Sequence, residues 1–204
     1  MANSETSVSN LALLEIGVTR VIANFDEDSE EARVCKLMYP QARDQVLEDA
    51  EWSFATRRRA LAQRTDVTVP SEWGGAFALP ADCLIARRLE DGKRTRRPEA
   101  ALPFTIEDDG EGRRVLYCNE AAPSLVYTTR VTNPELFPPR FVNAVKFRLA
   151  SLLAMPIVKE GEIRKAMEQL YALALARAAA LDAAEETPPA QPEAFYIESM
   201  FNGG

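Results

Sequence analysis

Histidine is absent from the 204-residue sequence, and cysteine is scarce. Without histidine, the chain lacks the side chain that most often transfers protons near neutral pH and most often ligates metal ions. The three cysteines, Cys35, Cys83 and Cys118, lie far apart without a CxxC pair, which argues against a disulfide framework or a zinc site. We therefore expect a protein that is not an enzyme and that binds neither a metal ion nor a cofactor.

Signals for export or for a membrane span are also missing. The first ten residues, MANSETSVSN, include no basic region, and no apolar run reaches the roughly 18 residues that a span requires. We expect an unexported protein that does not contact membranes. The net charge of −7 argues against a broad attraction to DNA phosphates, although local basic patches remain compatible with it.

The acidic residues form two clusters that could suggest chemistry. The cluster at 26–31 resembles the start of a calcium loop, but it lacks the required glycine and the closing glutamate. A second cluster, around the Asp109-Gly110 turn, is interpreted as solvated loop charge. The rival interpretation is a small hydrolase with two facing carboxylates in a cleft. No P-loop or GxGxxG motif occurs.

Apolar residues at helical spacing predict two helices in the first third of the chain. The first covers residues 4–16 and ends at Gly17, with an apolar side made of Val8, Leu11, Ala12 and Leu14. The second begins at Asp28, which forms a capping box with Glu31. Pro40 lies within its pattern and predicts a kink or a helix that restarts at the proline.

Two further helices are predicted near the C-terminus. Pro139 suits the first position of one helix, which continues until Pro156 stops it. The other runs from about Gly161 to Glu185, with an apolar side made of Ile163, Met167, Leu170, Ala174 and Leu181. Because the connection is short, we expect antiparallel neighbours that pack on the helix starting at Asp28.

The residues between the two helical parts lose the helical period and gain glycine, proline and strand-forming residues. About four short antiparallel strands are expected to form one inserted sheet. The candidate segments are 73–79, 83–90, 104–107, 114–118 and 124–131, with turns at Asp91-Gly92 and Asp109-Gly110.

The predicted fold class is therefore α+β, with a helical bundle formed by N- and C-terminal helices, a small inserted antiparallel β-sheet and an extended C-terminal arm. The expected parts are residues 1–66, 67–133, 134–186 and 187–204. The arm begins with prolines and then carries large apolar side chains: Phe195, Tyr196, Ile197, Met200 and Phe201. We expect these residues to bind another subunit or another protein; docking onto their own subunit and disorder are the alternatives.

A basic cluster lies on or beside the predicted hairpin at 87–97. Its members are Arg87, Arg88, Lys93, Arg94, Arg96 and Arg97. We expect them to pair with acidic residues across strands or across a subunit interface. In the alternative hypothesis they contact phosphates, and the chain is a DNA-binding module.

Several short blocks follow one another in an order that resembles a known family. The N-terminal blocks are Leu14-Glu15-Ile16-Gly17, Ala32, Cys35, Tyr39, Arg43-Asp44, Val46-Leu47, Trp52-Ser53-Phe54-Ala55, Arg58 and Leu61-Ala62. Further on come Trp73, Leu79-Pro80-Ala81-Asp82-Cys83-Leu84, Tyr127, Arg130-Val131-Thr132, Pro134, Leu136-Phe137, Phe141 and Leu149-Ala150. Their succession resembles the phage head-to-tail adaptor family, typified by tail tubular protein A, over most of residues 10–155.

The resemblance implies a structural virion protein made in the host cytoplasm and located at the head-tail interface. It implies a homo-oligomeric ring of twelve subunits that binds the portal protein on one side and a tail or nozzle protein on the other. Duplex DNA would pass through the lumen without sequence-specific binding. Portal binding would involve the C-terminal region, which fits the apolar arm. The arm and the basic hairpin depart from the family pattern.

Overall fold

A computed structural model describes residues 3–90 and 102–185 of the chain. The helices are α1 Glu5–Glu15, α2 Glu30–Asp49, α3 Pro139–Leu153 and α4 Gly161–Glu185. The strands are β1 Thr56–Ala60, β2 Gln63–Arg64, β3 Gly75–Ala78, β4 Cys83–Glu90, β5 Phe104–Asp108, β6 Arg114–Cys118 and β7 Ser124–Thr129. The predicted α+β class is confirmed: helices from both ends of the chain pack together, and the middle of the chain forms antiparallel strands.

The two N-terminal helices begin at serine caps. For α1 the cap is Ser4, and Gly17 follows the helix with a φ of +84°, a conformation that favours glycine. For α2 the cap is Ser29, whose Oγ accepts from the backbone N–H of Ala32 at 3.2 Å. The prediction of Asp28 as the cap is therefore wrong by one residue. The hydroxyl oxygen of a serine at the cap accepts directly from the backbone N–H three residues later, which has no partner within the helix.

Helix α2 continues through Pro40 as one element, so the predicted restart does not occur. A proline inside a helix removes one hydrogen-bond donor and crowds the preceding turn. The buried side chains on both sides of it, Tyr39, Ala42 and Val46, are fully covered. Their burial against the rest of the body stabilises the helix across the proline.

The central element of the helical body is α3, which packs against α1, α2 and α4. At its N-terminal end, Trp52 and Phe141 meet edge to face with their ring centroids 4.9 Å apart. The indole Nε1 of Trp52 donates to the backbone oxygen of Val46 at 2.7 Å. These contacts fasten the residues after α2 to the start of α3.

Pro156 does not stop the third helix, contrary to the prediction. Instead, α3 passes into a π-helical turn at Ala154–Val158 that contains this proline. The N–H of Lys159 donates to the oxygen of Ala154 at 2.8 Å, and Lys159 ends the turn with a φ of 62°. Proline has no backbone N–H to donate. In the π-helical turn the hydrogen bonds connect residues five apart, and this wider turn accommodates Pro156.

The strands form two small antiparallel sheets rather than the single inserted sheet that was predicted. One has the order β1-β7-β4 and the other β2-β3-β6-β5. Strands β1 and β2 lie within residues 56–64, before the point where the sequence predicts the sheet to begin. A second hydrophobic core joins the strands and includes Phe77, Leu89, Leu116, Leu125 and Tyr127. Both faces of β7 are buried, which the alternation of its residues did not indicate.

Candidate assembly surfaces

Arg87, predicted to pair with acids or to contact phosphates, extends from β4 to the end of α2. One of its terminal nitrogens donates to the carbonyl oxygens of Leu47 at 2.9 Å and Ala50 at 2.6 Å. Its Nε donates to Oγ1 of Thr128 at 2.9 Å. The last carbonyls of a helix carry partial negative charge and lack helical partners, so a guanidinium satisfies them well. Burial lowers the pKa of Arg87, while nearby carboxylates act in the opposite direction.

Arg88 is more exposed and lies among carboxylates. It contacts Glu51 at 2.6 Å and Glu90 at 3.7 Å, and Glu90 also pairs with Arg58 at 2.7 Å across the sheet. Of the predicted basic cluster, the structure thus brings Arg87 and Arg88 to the junction between the sheet and α2. Lys93, Arg94, Arg96 and Arg97 lie outside the described residues, as do the arm residues 195–201.

A second polar junction joins the end of β7 to the helical body. The carboxylate of Asp44 on α2 contacts Arg43 at 2.7 Å and Arg130 at 3.0 Å. The carboxylate of Asp82 accepts from Tyr127 at 3.1 Å and from Thr129 at 3.0 Å. These hydrogen bonds lower the pKa of Asp82 against the opposing effect of desolvation. Except for Thr129, these residues lie in blocks of the resemblance, but the sequence gives no signal of their pairing.

An ion-pair network centred on the covered Asp109 carboxylate closes the turn between β5 and β6. The Asp109 side chain is only 1% exposed and contacts Arg64 and Arg113, each at 2.8 Å. Desolvation raises the pKa of Asp109, but its hydrogen bonds with Arg64, Arg113 and the backbone of the turn outweigh it and hold the pKa well below its usual range. Arg64 also binds Asp66 and lowers its pKa to about 2. The interpretation of this acidic turn as entirely solvated is therefore wrong for Asp109, since residue 64 is distant in sequence.

Several leucines predicted to face the core lie on the surface instead. Leu11 and Leu14 on α1 are 44% and 50% exposed. On α4, Leu170 and Leu181 are also exposed, together with Leu173. The buried sides consist of Val8, Ser9, Ala12 and Leu13 in α1, and of Met167, Tyr171, Ala174 and Ala178 in α4. Apolar side chains at helical spacing on an exposed helix face are typical of a surface that packs against a partner.

Pockets of modest size lie beside two of these polar groups. One, of about 260 Å³, lies beside Asp82 and Arg130, and the other, of about 280 Å³, lies beside the Asp109 network. Within residues 3–90 and 102–185, no group of three histidine, cysteine or acidic residues is placed to hold a metal ion. The segment Pro139–Val158 is long and apolar enough to cross a membrane by length and composition, but half of the tested window is buried inside the protein.

Comparison with known proteins adds no family to this picture. No protein-family model matches the chain, and no curated protein matches its sequence significantly.

Proposed function

We propose that this chain is a structural virion protein, a head-to-tail adaptor that forms a ring beneath the portal and joins the capsid to the tail. Duplex DNA would pass through the lumen of the ring. The proposal rests on the ordered blocks that resemble the adaptor family over most of residues 10–155.

The observation that carries the proposal is that blocks far apart in the sequence contact one another. Asp44 pairs with Arg130 at 3.0 Å, and Trp52 stacks edge to face on Phe141. The carbonyl oxygen of Asp82 accepts from the N–H of Arg130 at 3.1 Å. These contacts join residues from separate blocks, and they hold the sheets on the helical body. This supports treating the separate short matches as one pattern.

The physical properties of the chain are consistent with work done by interfaces. The leucines exposed on α1 and α4 offer apolar area, and burying a leucine fully against a partner contributes about 1.5–3 kcal/mol. The net charge of −7 disfavours retention of DNA phosphates, so a duplex can slide past such a protein. The apolar arm residues 195–201 would supply the contact with the portal.

The test is direct binding to the portal. Purified full-length chain and its cognate portal are mixed and separated by gel filtration at physiological salt. We expect the two proteins to elute together as a complex larger than the portal alone. Separate elution over the full range of protein concentrations would contradict the proposal.

The alternative function is a DNA-binding module that uses the hairpin at 87–97. Arg87 does not favour it, because its guanidinium is already engaged with backbone oxygens of α2 and with Thr128. If this alternative held, the free protein would retain duplex DNA at low salt and release it steeply as salt increases. We expect no retention.

A further inference from the structure

We propose that copies of this chain associate head to tail by pairing the outer edge of β1 with the outer edge of β5 of the next copy. This inference deepens the proposed function, because it names the surfaces that would build the ring. It rests on strand order, on the direction of free backbone groups and on the opposite charges of the two edges.

The basic edge is β1, the outer strand of the sheet β1-β7-β4. Its residues 57–60 are exposed and include three consecutive arginines. Arg58 pairs with Glu90, whereas Arg57 and Arg59 form no ion pair with any other described residue. The N–H of Leu61 donates to the oxygen of Pro123. The backbone N–H and C=O groups of the odd-numbered residues of β1 therefore point toward β7. The backbone groups of Arg58 and Ala60 consequently face the open edge.

The acidic edge is β5, the outer strand of the sheet β2-β3-β6-β5. Glu107 and Asp108 are exposed there, and neither forms an ion pair with another described residue. The N–H of Asp109 donates to the oxygen of Arg113. The backbone N–H and C=O groups of the odd-numbered residues of β5 therefore point toward β6. The backbone groups of Ile106 and Asp108 therefore face outward.

Among the antiparallel registers that the two edges allow, one also matches their charges. Outward backbone groups must oppose outward backbone groups, so Arg58 can pair with Asp108 of the next copy. The same register places Arg59 opposite Glu107 and thereby aligns two pairs of opposite charges, which stabilises cross-strand contacts.

The positions of the edges make this contact heterologous. Strand β1 leads directly into β2, and β5 lies at the far edge of the sheet that β2 begins. Each copy therefore presents a basic edge on one sheet and an acidic edge on the other sheet. A heterologous contact of this kind leaves one free edge at each end of a chain of copies, and it closes only as a ring. An exposed strand edge without a partner is otherwise an aggregation hazard.

The experiment is a reciprocal charge reversal. The first variant is Arg58→Glu/Arg59→Glu, and the second is Glu107→Arg/Asp108→Arg, so that each reversed residue lies opposite a reversed partner in the proposed register. Alone, each variant carries two edges of the same sign. When the two variants are mixed, their copies can alternate. The reversed β1 of the first variant then meets the reversed β5 of the second, and the natural β1 of the second meets the natural β5 of the first. The control, Arg33→Glu/Lys165→Glu, changes the net charge as the first variant does, but at exposed positions of α2 and of α4 away from the exposed leucines.

Self-association of the full chain is measured by sedimentation velocity at about 10 mM and about 1 M salt, because screening distinguishes charge pairing from apolar contact. The natural chain and the control are expected to form species larger than a monomer at low salt. Association of each reversed variant alone should be weaker by at least about tenfold, and the equimolar mixture of the two should restore association. Circular dichroism confirms that all variants are folded.

The inference is overturned if the natural chain stays monomeric at low salt, if either variant behaves like the control, or if the mixture fails to associate. These failures are distinguishable from failure of the proposed function. If the natural chain and both variants alone all form rings on the portal, the adaptor proposal stands and the strand-edge contact is wrong.

Discussion

The guanidinium of Arg87 lies 2.6 Å from the carbonyl oxygen of Ala50 and ties strand β4 to the end of α2. It also donates to Leu47, in the last turn of that helix. Together with the Asp44–Arg130 ion pair, this side chain connects the three-stranded sheet to the helical body. The sheets carry the proposed strand edges, and the helices carry the exposed leucines, so this junction sets how both surfaces are presented.

Replacing Arg87 should destabilise the protein more than replacing its neighbour. We expect Arg87→Met to lower the free energy of unfolding by about 2–3 kcal/mol, because it removes the donor to two carbonyl oxygens and to Thr128 in a partly buried junction. The matched control, Arg88→Met, removes an exposed ion pair and should cost about 0–1 kcal/mol. Urea unfolding followed by circular dichroism measures both. Equal losses in the two variants would contradict a structural role for Arg87.

The Asp109 network predicts a loss of stability in acid. The pKa of Asp109 in the folded protein lies well below the value of about 3.9 in an unfolded chain. Such a depressed pKa contributes stability that is present above about pH 4 and is lost as the pH falls further. The free energy of unfolding should therefore decrease between about pH 4 and about pH 2, and Asp109→Asn should flatten this decrease.

The control for this prediction is Asp108→Asn at the same turn. The Asp108 carboxylate is exposed and forms no ion pair within the described residues. Its replacement leaves the ion pairs of Asp109 in place, so the loss of stability in acid should persist. If Asp109→Asn and Asp108→Asn gave the same slope as the natural chain, the network would not hold the low pKa of Asp109.

The surface leucines should matter for assembly and not for folding. Leu14→Gln and Leu173→Gln are expected to change the free energy of unfolding by no more than about 0.5 kcal/mol, because both side chains are about half exposed. Binding to the portal-bearing head should weaken in both variants. Ala172→Gln, also exposed on α4, is the control that should bind normally. Normal head attachment by both leucine variants would exclude these surfaces from the assembly.

Removing the end of the chain should separate folding from attachment. Deletion of residues 193–204 is expected to leave the folded body intact, because its core comprises earlier residues. The truncated protein should fail to attach to portal-bearing heads, since it lacks Phe195, Tyr196, Ile197, Met200 and Phe201. Thermal unfolding and head sedimentation measure the two properties. Attachment equal to that of the full chain would show that the arm is dispensable.

Much of the fold could be predicted from local sequence signals. Gly17 after α1, Pro139 at the first position of α3 and the glycine turn before β6 all act within a few residues, and the structure confirms them. The limits of β4 also agree with the prediction. Signals of this kind depend on backbone geometry that neighbouring residues dictate.

The errors arise where distant residues decide the outcome. Helix α4 is rich in alanine and carries apolar residues on two sides, so its period did not distinguish the buried Tyr171 from the exposed Leu170 and Leu181. The burial of Asp109 depends on Arg64, which precedes it by 45 residues. The use of Arg87 as a helix cap depends on where β4 crosses α2. Each of these contacts is set by tertiary packing rather than by local spacing.

The most direct test of the adaptor proposal is electron cryo-microscopy of the full-length chain mixed with its cognate portal. We predict a closed ring, coaxial with the portal, with a central channel wide enough for duplex DNA and with residues 195–201 in contact with portal subunits. A chain that remains unassociated with the portal, or that binds it without forming a ring, would contradict the account.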